Sequence, residues 1–210
     1  YMPHTVHLHG VDHPYKGTNG SKGGDGVPVT SESPIPPGES REYTFTPETP
    51  GTMFYHCHVV PNTHVSMGLN GMFVIEENKD DNNVQTINPG AGKVRHPSEA
   101  VNESYSSEYD MVYQDVDKTL HNIPKKYNDT REIAKAVNRD YDRTENSPDY
   151  FMLNGKSFPY TMREAVVNVE PNKRYKMRVL NAEGDVLSLH THGHKVKITH
   201  KDGVPVGNPV

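Results

Sequence analysis

The chain has 210 residues, of which 32% are hydrophobic, and its formal net charge is −5 at pH 7. This mild acidity, without any cluster of lysine or arginine, argues against a surface that binds nucleic acid. The longest apolar runs, such as residues 72–75, are far shorter than the ~20 residues of a membrane span, so we expect no span. Seventeen glycines and 17 prolines predict short strands joined by many turns, and the length favours two domains.

Residues 1–77 carry the pattern of an all-β domain, which we take as the first domain. Alternating apolar residues predict strands in four segments, and a glycine-rich loop at 16–26 follows the first of them. These strands are predicted at residues 4–9, 41–46, 52–57 and 71–76. Residues 78–106 are polar and rich in Asn, Asp and Gly, which is the composition of a linker.

Residues 107–210 predict a second β domain with a polar insertion at about 117–148. Its strands are predicted at residues 109–113, 150–153, 165–169, 175–180 and 195–199. Within the insertion, residues 130–137 favour one short helix, to which we assign no catalytic role. Because strand patterns are under way at both termini, we expect the chain to be a fragment or a processed form, truncated at both ends.

Histidine is the outlier of the composition, with 13 residues, and its placement points to metal binding. Three groups of closely spaced histidines are found at residues 4–9, 56–64 and 190–194. Residues i and i+2 of a strand project from one face, so a His-x-His pair can direct two imidazoles at one point. Cys57 is the single cysteine, and it is therefore either a free thiol or a ligand. A thiolate beside imidazoles favours copper or zinc.

The motifs around these histidines resemble those of multicopper oxidases, specifically the two-domain, laccase-like type with its type 1 copper in the first domain. The run from His4 to Gly10 resembles the His-Pro-x-His-x-His-Gly element of the family, and residues 55–58 resemble its His-Cys-His element. Further stretches occur in the family's order at residues 25–28, 33–38, 51–56 and 153–159. The resemblance implies an all-β chain of two cupredoxin-like domains, each a Greek-key β-sandwich or barrel.

The resemblance also implies a set of copper ligands. The type 1 copper would take His4, Cys57 and His64, with Leu69 or Met67 at the axial position. The type 2 copper would take His7 and His190, and the type 3 pair would take His9, His56, His58 and His192. The family uses eight trinuclear ligands, so two more are expected beyond Val210, and a complete chain is expected to bind four coppers.

Three further roles follow from the same resemblance. Cys57, His56 and His58 would carry electrons from the type 1 copper to the trinuclear cluster. Asp25, in the Asp-Gly turn, would help protons to reach bound oxygen, a general acid–base task. Leu187 stands where a second type 1 site would need a histidine, so the second domain should carry no blue copper.

The implied activity is oxidation of a donor coupled to reduction of O2 to water. The donor would be a phenol, an aromatic amine, a metal ion or a small redox protein. Tyr109-Asp110 and the insertion also resemble copper nitrite reductases, which are one alternative, and a non-catalytic copper-binding cupredoxin is the other. The resemblance further implies export to the periplasm or the cell exterior, and a homotrimer whose clusters lie between subunits.

Overall fold

The computed structural model describes residues 2–17, 23–75, 92–93, 104–182 and 184–207. The first sheet contains three antiparallel strands in the order β1-β2-β3. They are β1 (His7–His9), β2 (Gly51–His56) and β3 (Asn70–Ile75). One face of this sheet packs into an apolar core because Leu8, Met53 and Ile75 project into it together with Val11.

The second large sheet has four strands and mixes parallel with antiparallel pairing. A two-stranded ladder precedes it, formed by β4 (Gly92–Lys93) and β5 (Ser104–Tyr105). The sheet itself consists of β6 (Ser107–Val116), β7 (Tyr150–Leu153), β8 (Lys156–Ser157) and β9 (Tyr175–Asn181), in the order β8-β7-β6-β9. β6 runs parallel to β9 and antiparallel to β7. A hairpin of β10 (His200–Lys201) and β11 (Val204–Pro205) follows.

Helices are few and short in the described residues, which agrees with the all-β class. They are α1 (Pro61–His64), α2 (Lys118–Asn122), α3 (Thr130–Arg139) and α4 (Thr161–Glu164), with 3-10 turns at Pro124–Lys126 and Arg143–Glu145. The predicted helix at 130–137 is confirmed as α3. Its first turn is capped by the Asp129 carboxylate, which accepts a hydrogen bond from the Arg131 N–H. None of the described helices is long and apolar enough to cross a membrane.

The insertion folds around a small apolar core of its own. This core consists of Leu120, Ile123, Ile133, Ala136 and Val137. Met2 and Val60, from the first 77 residues, pack against it. Polar contacts reinforce the docking, because Asn62 donates to Asn138 at 3.0 Å and Arg143 donates to the Asn62 carbonyl oxygen. The insertion therefore packs against the loop that contains α1 and is hydrogen-bonded to it.

A buried ion pair within the second large sheet is hydrogen-bonded to the first sheet. Glu108 in β6 is 1% exposed and Arg178 in β9 is 5% exposed, and their side chains are in direct contact. Arg178 Nη1 also donates to Thr52 Oγ1 in β2 at 2.6 Å. Burial alone would raise the pKa of Glu108, but the positive charges of Arg178 and Lys176 outweigh burial and lower it.

Three predicted strands are not strands in the structure. Residues 41–46, 165–169 and 195–199 belong to no β-ladder among the described residues. Residues 41–46 nevertheless alternate between half-buried and exposed, as an extended segment does, although they pair with no neighbouring strand among the described residues. The first predicted strand, 4–9, is a ladder only from His7, although His4 forms an isolated bridge to Ile35. Most of the predicted linker, 78–106, lies outside the described residues, and the domain bounds remain a prediction.

Candidate metal centre

Register brings three histidines to one face of the first sheet. His7 pairs with His56, and His9 pairs with Phe54, across the β1–β2 ladder. Leu8 points the other way, into the core, because side chains alternate along a strand. The ring centroids lie 5.6 Å apart for His7 and His9 and 5.1 Å apart for His7 and His56. The predicted convergence of the His-x-His pair is thus present on this face.

These three imidazoles form a group that could hold a metal ion. One ring nitrogen from each of His7, His9 and His56 lies within 4.8 Å of the other two. His58 approaches the group from the chain beyond β2, with its ring 5.1 Å from that of His7. Its backbone N–H donates to the buried Thr5 hydroxyl oxygen at 3.3 Å, which fixes where the chain turns.

A second group of ligand atoms lies beside the first and contains the cysteine. Cys57 follows β2 directly, and its N–H donates to the Leu69 carbonyl oxygen at 3.0 Å. The helix α1 turns the chain back, so that His64 Nδ1 lies 3.2 Å from Cys57 Sγ. His4 Nδ1 lies 3.5 Å from the same sulfur. Cys57 and His64 are buried and His4 is exposed.

The geometry of this second group fits a three-coordinate metal ion. Bond lengths of about 2.0 Å to nitrogen and about 2.3 Å to sulfur, at 120°, separate nitrogen and sulfur by about 3.7 Å. The two observed separations, 3.5 and 3.2 Å, are close to that value. A thiolate with two imidazoles in a trigonal arrangement is the donor set of blue copper sites. The residues therefore fit copper.

Burial favours the neutral, metal-binding form of two of these imidazoles, those of His64 and His56. It lowers the pKa of His64 to about 4, with the charge of His4 as a smaller cause. It also lowers the pKa of His56, where the neighbouring His7, His9 and His58 add to the effect. Neutral imidazole offers a nitrogen lone pair, so both rings are ready ligands at neutral pH.

Asp25 contacts His7 through both its backbone and its side chain. His7 Nδ1 lies 2.7 Å from the Asp25 carbonyl oxygen and 3.2 Å from its Oδ1. A carbonyl oxygen only accepts hydrogen bonds, so Nδ1 carries the proton and Nε2 keeps its lone pair for a metal. The same Oδ1 lies 3.3 Å from Nε2 of His13, whose side chain is 7% exposed. Asp25 therefore lies between two imidazoles.

Leu69 and Met67, the two residues predicted for the axial position of the cysteine group, differ in exposure. Leu69 is 42% exposed, and its backbone connects to both Cys57 and His64. Met67 is half-buried, with its N–H bonded to the Thr63 carbonyl oxygen. A different thioether, which the sequence did not suggest, lies near His64. Met2 Sδ is 3.3 Å from Nε2, the ring nitrogen of His64 that does not face Cys57.

The remaining predicted ligands lie apart from both groups. The rings of His190 and His192 are 4.7 Å from each other and both residues are exposed. Neither belongs to a group of three or more close metal-binding atoms in the described part of the chain. The pair nevertheless has the spacing of two ligands that share one site.

Two residues at the site escaped sequence reasoning. His13 contacts Asp25, and Met2 contacts His64. Neither residue lies in a ligand motif of the sequence. Only the proximity of Met2 and His13 to the His4–His9 motif could have drawn attention to them.

Two family models match separate parts of the chain. Residues 2–80 match a family model described as multicopper oxidase, and residues 121–210 match a second model with the same description. The chain is 29% identical over 206 residues to the iron transport multicopper oxidase FET3 of Candida albicans, covering 96% of this chain and 26% of that protein. It is 27% identical over 204 residues to Laccase-1 of Fomitopsis schrenkii, covering 95% of this chain and 30% of that protein.

Two solved structures are similar along essentially the whole chain. The blue copper oxidase of Nitrosomonas europaea aligns with a TM-score of 0.62 and 26% identity, covering 100% of this chain and 54% of that one. The multicopper oxidase mgLAC aligns with a TM-score of 0.64 and 26% identity, covering 99% of this chain and 53% of that one. The chain thus spans about half of these proteins and less than a third of the two fungal relatives named above. The two matched models leave out little more than residues 81–120, and the chain belongs to the multicopper oxidase family.

Proposed function

We propose that the protein containing this chain is a multicopper oxidase that couples one-electron oxidation of a reducing substrate to four-electron reduction of O2. The observation that carries the proposal is the adjacency of two different donor sets. Cys57 belongs to the thiolate group, and the residue before it, His56, belongs to the three-histidine group. Storage of metal alone gives no reason to connect two such groups through a single peptide bond.

In this proposal each donor set has one role. His4, Cys57 and His64 would hold the type 1 copper. His7 with His190 would hold the type 2 copper, and the type 3 pair would be held by His9, His56, His58 and His192. Bound in this way, copper supplies one-electron oxidation of the donor and the reduction of O2, with four electrons and four protons, to two molecules of water.

The chain's own residues provide the covalent path between the two donor sets and the groups that hold or transfer protons near His7. Cys57 is bonded through the backbone to His56 and His58, which gives electrons a covalent path between the two donor sets. The Asp25 carbonyl oxygen holds the proton of His7 on Nδ1 and so orients that ring. Asp25 Oδ1, between His7 and His13, is placed to accept and return a proton near the three-histidine group.

The reducing substrate would approach the thiolate group from its exposed side. His4 is the exposed member, whereas His64 is 4% exposed and its Nε2 contacts Met2 Sδ. The donors we propose remain those of the sequence analysis, namely a phenol, an aromatic amine, a metal ion or a small redox protein. O2 is the second substrate.

We extend the proposal to assembly and location. The exposure of His190 and His192, apart from the three-histidine group, supports a cluster completed between subunits of a homotrimer. Closed threefold symmetry would give three equal clusters, each with ligands from two neighbouring domains. Export to the periplasm or the cell exterior is part of the same proposal.

Copper content measured together with oxygen uptake tests the proposed function. The full-length protein should bind four coppers per chain and consume O2 in the presence of a reducing substrate. Two coppers per chain with reduction of nitrite to nitric oxide would favour a nitrite reductase instead. A non-integral, exchangeable copper load without oxygen uptake would indicate a storage protein. Either of these last two results would overturn the proposal.

A further inference from the structure

A buried carboxylate joins the loop that carries Asp25 to the strand that carries His7. The side chain of Glu32 is 2% exposed. Its Oε2 accepts a hydrogen bond from the Gly24 N–H at 2.7 Å, directly before Asp25 in the chain. Its Oε1 accepts one from the Tyr43 hydroxyl at 2.5 Å.

The Tyr43 hydroxyl extends this connection to the other side. Its oxygen accepts a hydrogen bond from the Val6 N–H at 3.1 Å, directly before His7. Burial, helped by the hydrogen bond to Glu32, raises the pKa of Tyr43 to about 12, so the phenol keeps the proton that it donates. Arg41 contacts Glu32 Oε1 at 2.8 Å and supplies the opposite charge that a buried carboxylate needs.

The loop and the strand are also in direct backbone contact. Gly26 has φ +74°, and a Cβ at this position would lie 2.1 Å from the Val6 carbonyl oxygen. Only glycine permits this approach. The loop therefore has little freedom to adjust, and a small displacement at Gly24 is transmitted to the 2.7 Å contact between the Asp25 carbonyl oxygen and His7 Nδ1.

We propose that Glu32 and Tyr43 are positioning residues for His7. By connecting Gly24 to Val6, they hold the Asp25 carbonyl oxygen against His7 Nδ1 and so keep Nε2 unprotonated and directed away from the loop. This inference rests on the proposed function only in taking His7 as a copper ligand. Glu32 and Tyr43 act through the backbone of their neighbours and do not themselves coordinate a metal.

The substitution Glu32→Gln removes the connection with almost no change of volume. A carboxylate can accept from both Gly24 and Tyr43, whereas an amide has one acceptor oxygen and turns a donor NH2 toward the other partner. Glu39→Gln is the matched control, because Glu39 is an exposed carboxylate of the same loop region. Tyr43→Phe is the second variant, because it removes only the bridging hydroxyl.

Two measurements on the full-length protein distinguish positioning from general structural support. In the metal-free protein, nitrogen-15 NMR should show His7 as the Nδ1–H tautomer in the parent and the Glu39→Gln control. Glu32→Gln and Tyr43→Phe should both lose that preference. In the copper-loaded protein, the affinity for type 2 copper, measured by its electron paramagnetic resonance signal during chelator titration, should fall about 10- to 100-fold. The blue absorption should stay as in the parent.

Three results would overturn the inference. An unchanged His7 tautomer with unchanged type 2 affinity would show that the connection does not position the ring. A parallel loss of the blue site would show that the effect is a general loss of structure. If Glu32→Gln does not fold, a Tyr43→Phe variant with the parent's His7 tautomer and the parent's affinity for type 2 copper is sufficient to reject the inference. A parent without type 2 copper would contradict the proposed function alone, since the His7 tautomer of the metal-free protein still decides the role of Glu32.

Discussion

Met2 Sδ lies 3.3 Å from Nε2 of His64, on the side of the imidazole opposite Cys57. The other ring nitrogen, Nδ1, lies 3.2 Å from Cys57 Sγ, so the imidazole is held from both sides. Met2 also packs against the apolar core of the insertion, which consists of residues far along the chain. Met2 therefore connects the imidazole of His64 to the helices of the insertion.

Truncation of Met2 should loosen this support. We expect Met2→Ala to lower the free energy of unfolding by about 1–2 kcal/mol, below the range for fully buried methionines because Met2 is only half-buried. Denaturant unfolding measures this effect, and hydrogen exchange should show faster opening of residues 61–64. Met162→Ala, at a side chain that is 71% exposed, is the control. Equal effects of the two substitutions would contradict the supporting role of Met2.

The exposed histidine pair of the second domain gives another prediction. His192→Ala should leave the blue absorption intact, since the thiolate group lies in the first 77 residues, and should reduce oxygen uptake to background. His194→Ala is the matched control, because this exposed histidine, two residues further on, is not assigned to copper. Oxygen uptake at the parent rate in His192→Ala would show that the trinuclear assignment is wrong.

The Glu108–Arg178 pair predicts a dependence of stability on pH. The pKa of Glu108 is lower in the folded than in the unfolded protein, so its stabilising contribution is complete above its ordinary value of 4.5. The contribution is lost as the pH falls through the folded-state pKa. Glu108→Gln should lower the free energy of unfolding by about 3 kcal/mol at pH 7, because the buried Arg178 loses its nearest carboxylate and Asp110 Oδ1 lies farther away, at 3.9 Å.

Denaturant unfolding from about pH 7 to about pH 3 checks both parts of this prediction. Over the acidic half of that range, the parent should lose stability more steeply than Glu108→Gln does. Glu145→Gln, at an exposed carboxylate, should follow the parent. Parallel curves for the parent and Glu108→Gln would exclude a stabilising charge at Glu108.

Local periodicity was sufficient to predict the histidine face of the first sheet. The alternation of His7, Leu8 and His9 directs two imidazoles to one side, and the structure places them 5.6 Å apart. The helix at 130–137 was equally predictable, because its cap and its apolar spacing are local signals. Partners that are distant in the chain were not predictable. Arg178 and Glu108 are separated by 70 positions, and no local pattern relates them.

The relation of the insertion to the first domain shows the same limit. Its polar composition suggested a peripheral segment without a catalytic role, yet its apolar residues form a core against Met2 and Val60. Residues of the insertion and residues of the first 77 positions pack together there, so single-sequence periodicity cannot reveal the contact. The predictions of strands at 41–46, 165–169 and 195–199 were wrong for a related reason. A strand needs a neighbouring strand to pair with, and the segment's own sequence does not encode that neighbour.

Assembly and activity should be lost together. If the cluster requires ligands from two subunits, dilution to monomers should preserve the blue copper, whose proposed ligands His4, Cys57 and His64 lie close together in one chain. The same dilution should remove the type 3 pair and oxygen reduction. Light scattering, absorption and oxygen uptake recorded on one dilution series provide the measurement. A full-length monomer that binds four coppers and reduces O2 would refute the homotrimer.

The substitution Cys57→Ser tests the central claim most directly. It replaces a single sulfur atom by oxygen at the residue that belongs to one donor set and is bonded to the other. We predict that the copper-loaded variant loses the intense blue thiolate-to-copper absorption and all donor-dependent oxygen uptake, while the type 2 signal in electron paramagnetic resonance remains. Blue absorption retained in Cys57→Ser, or oxygen uptake at the parent rate, would contradict the account.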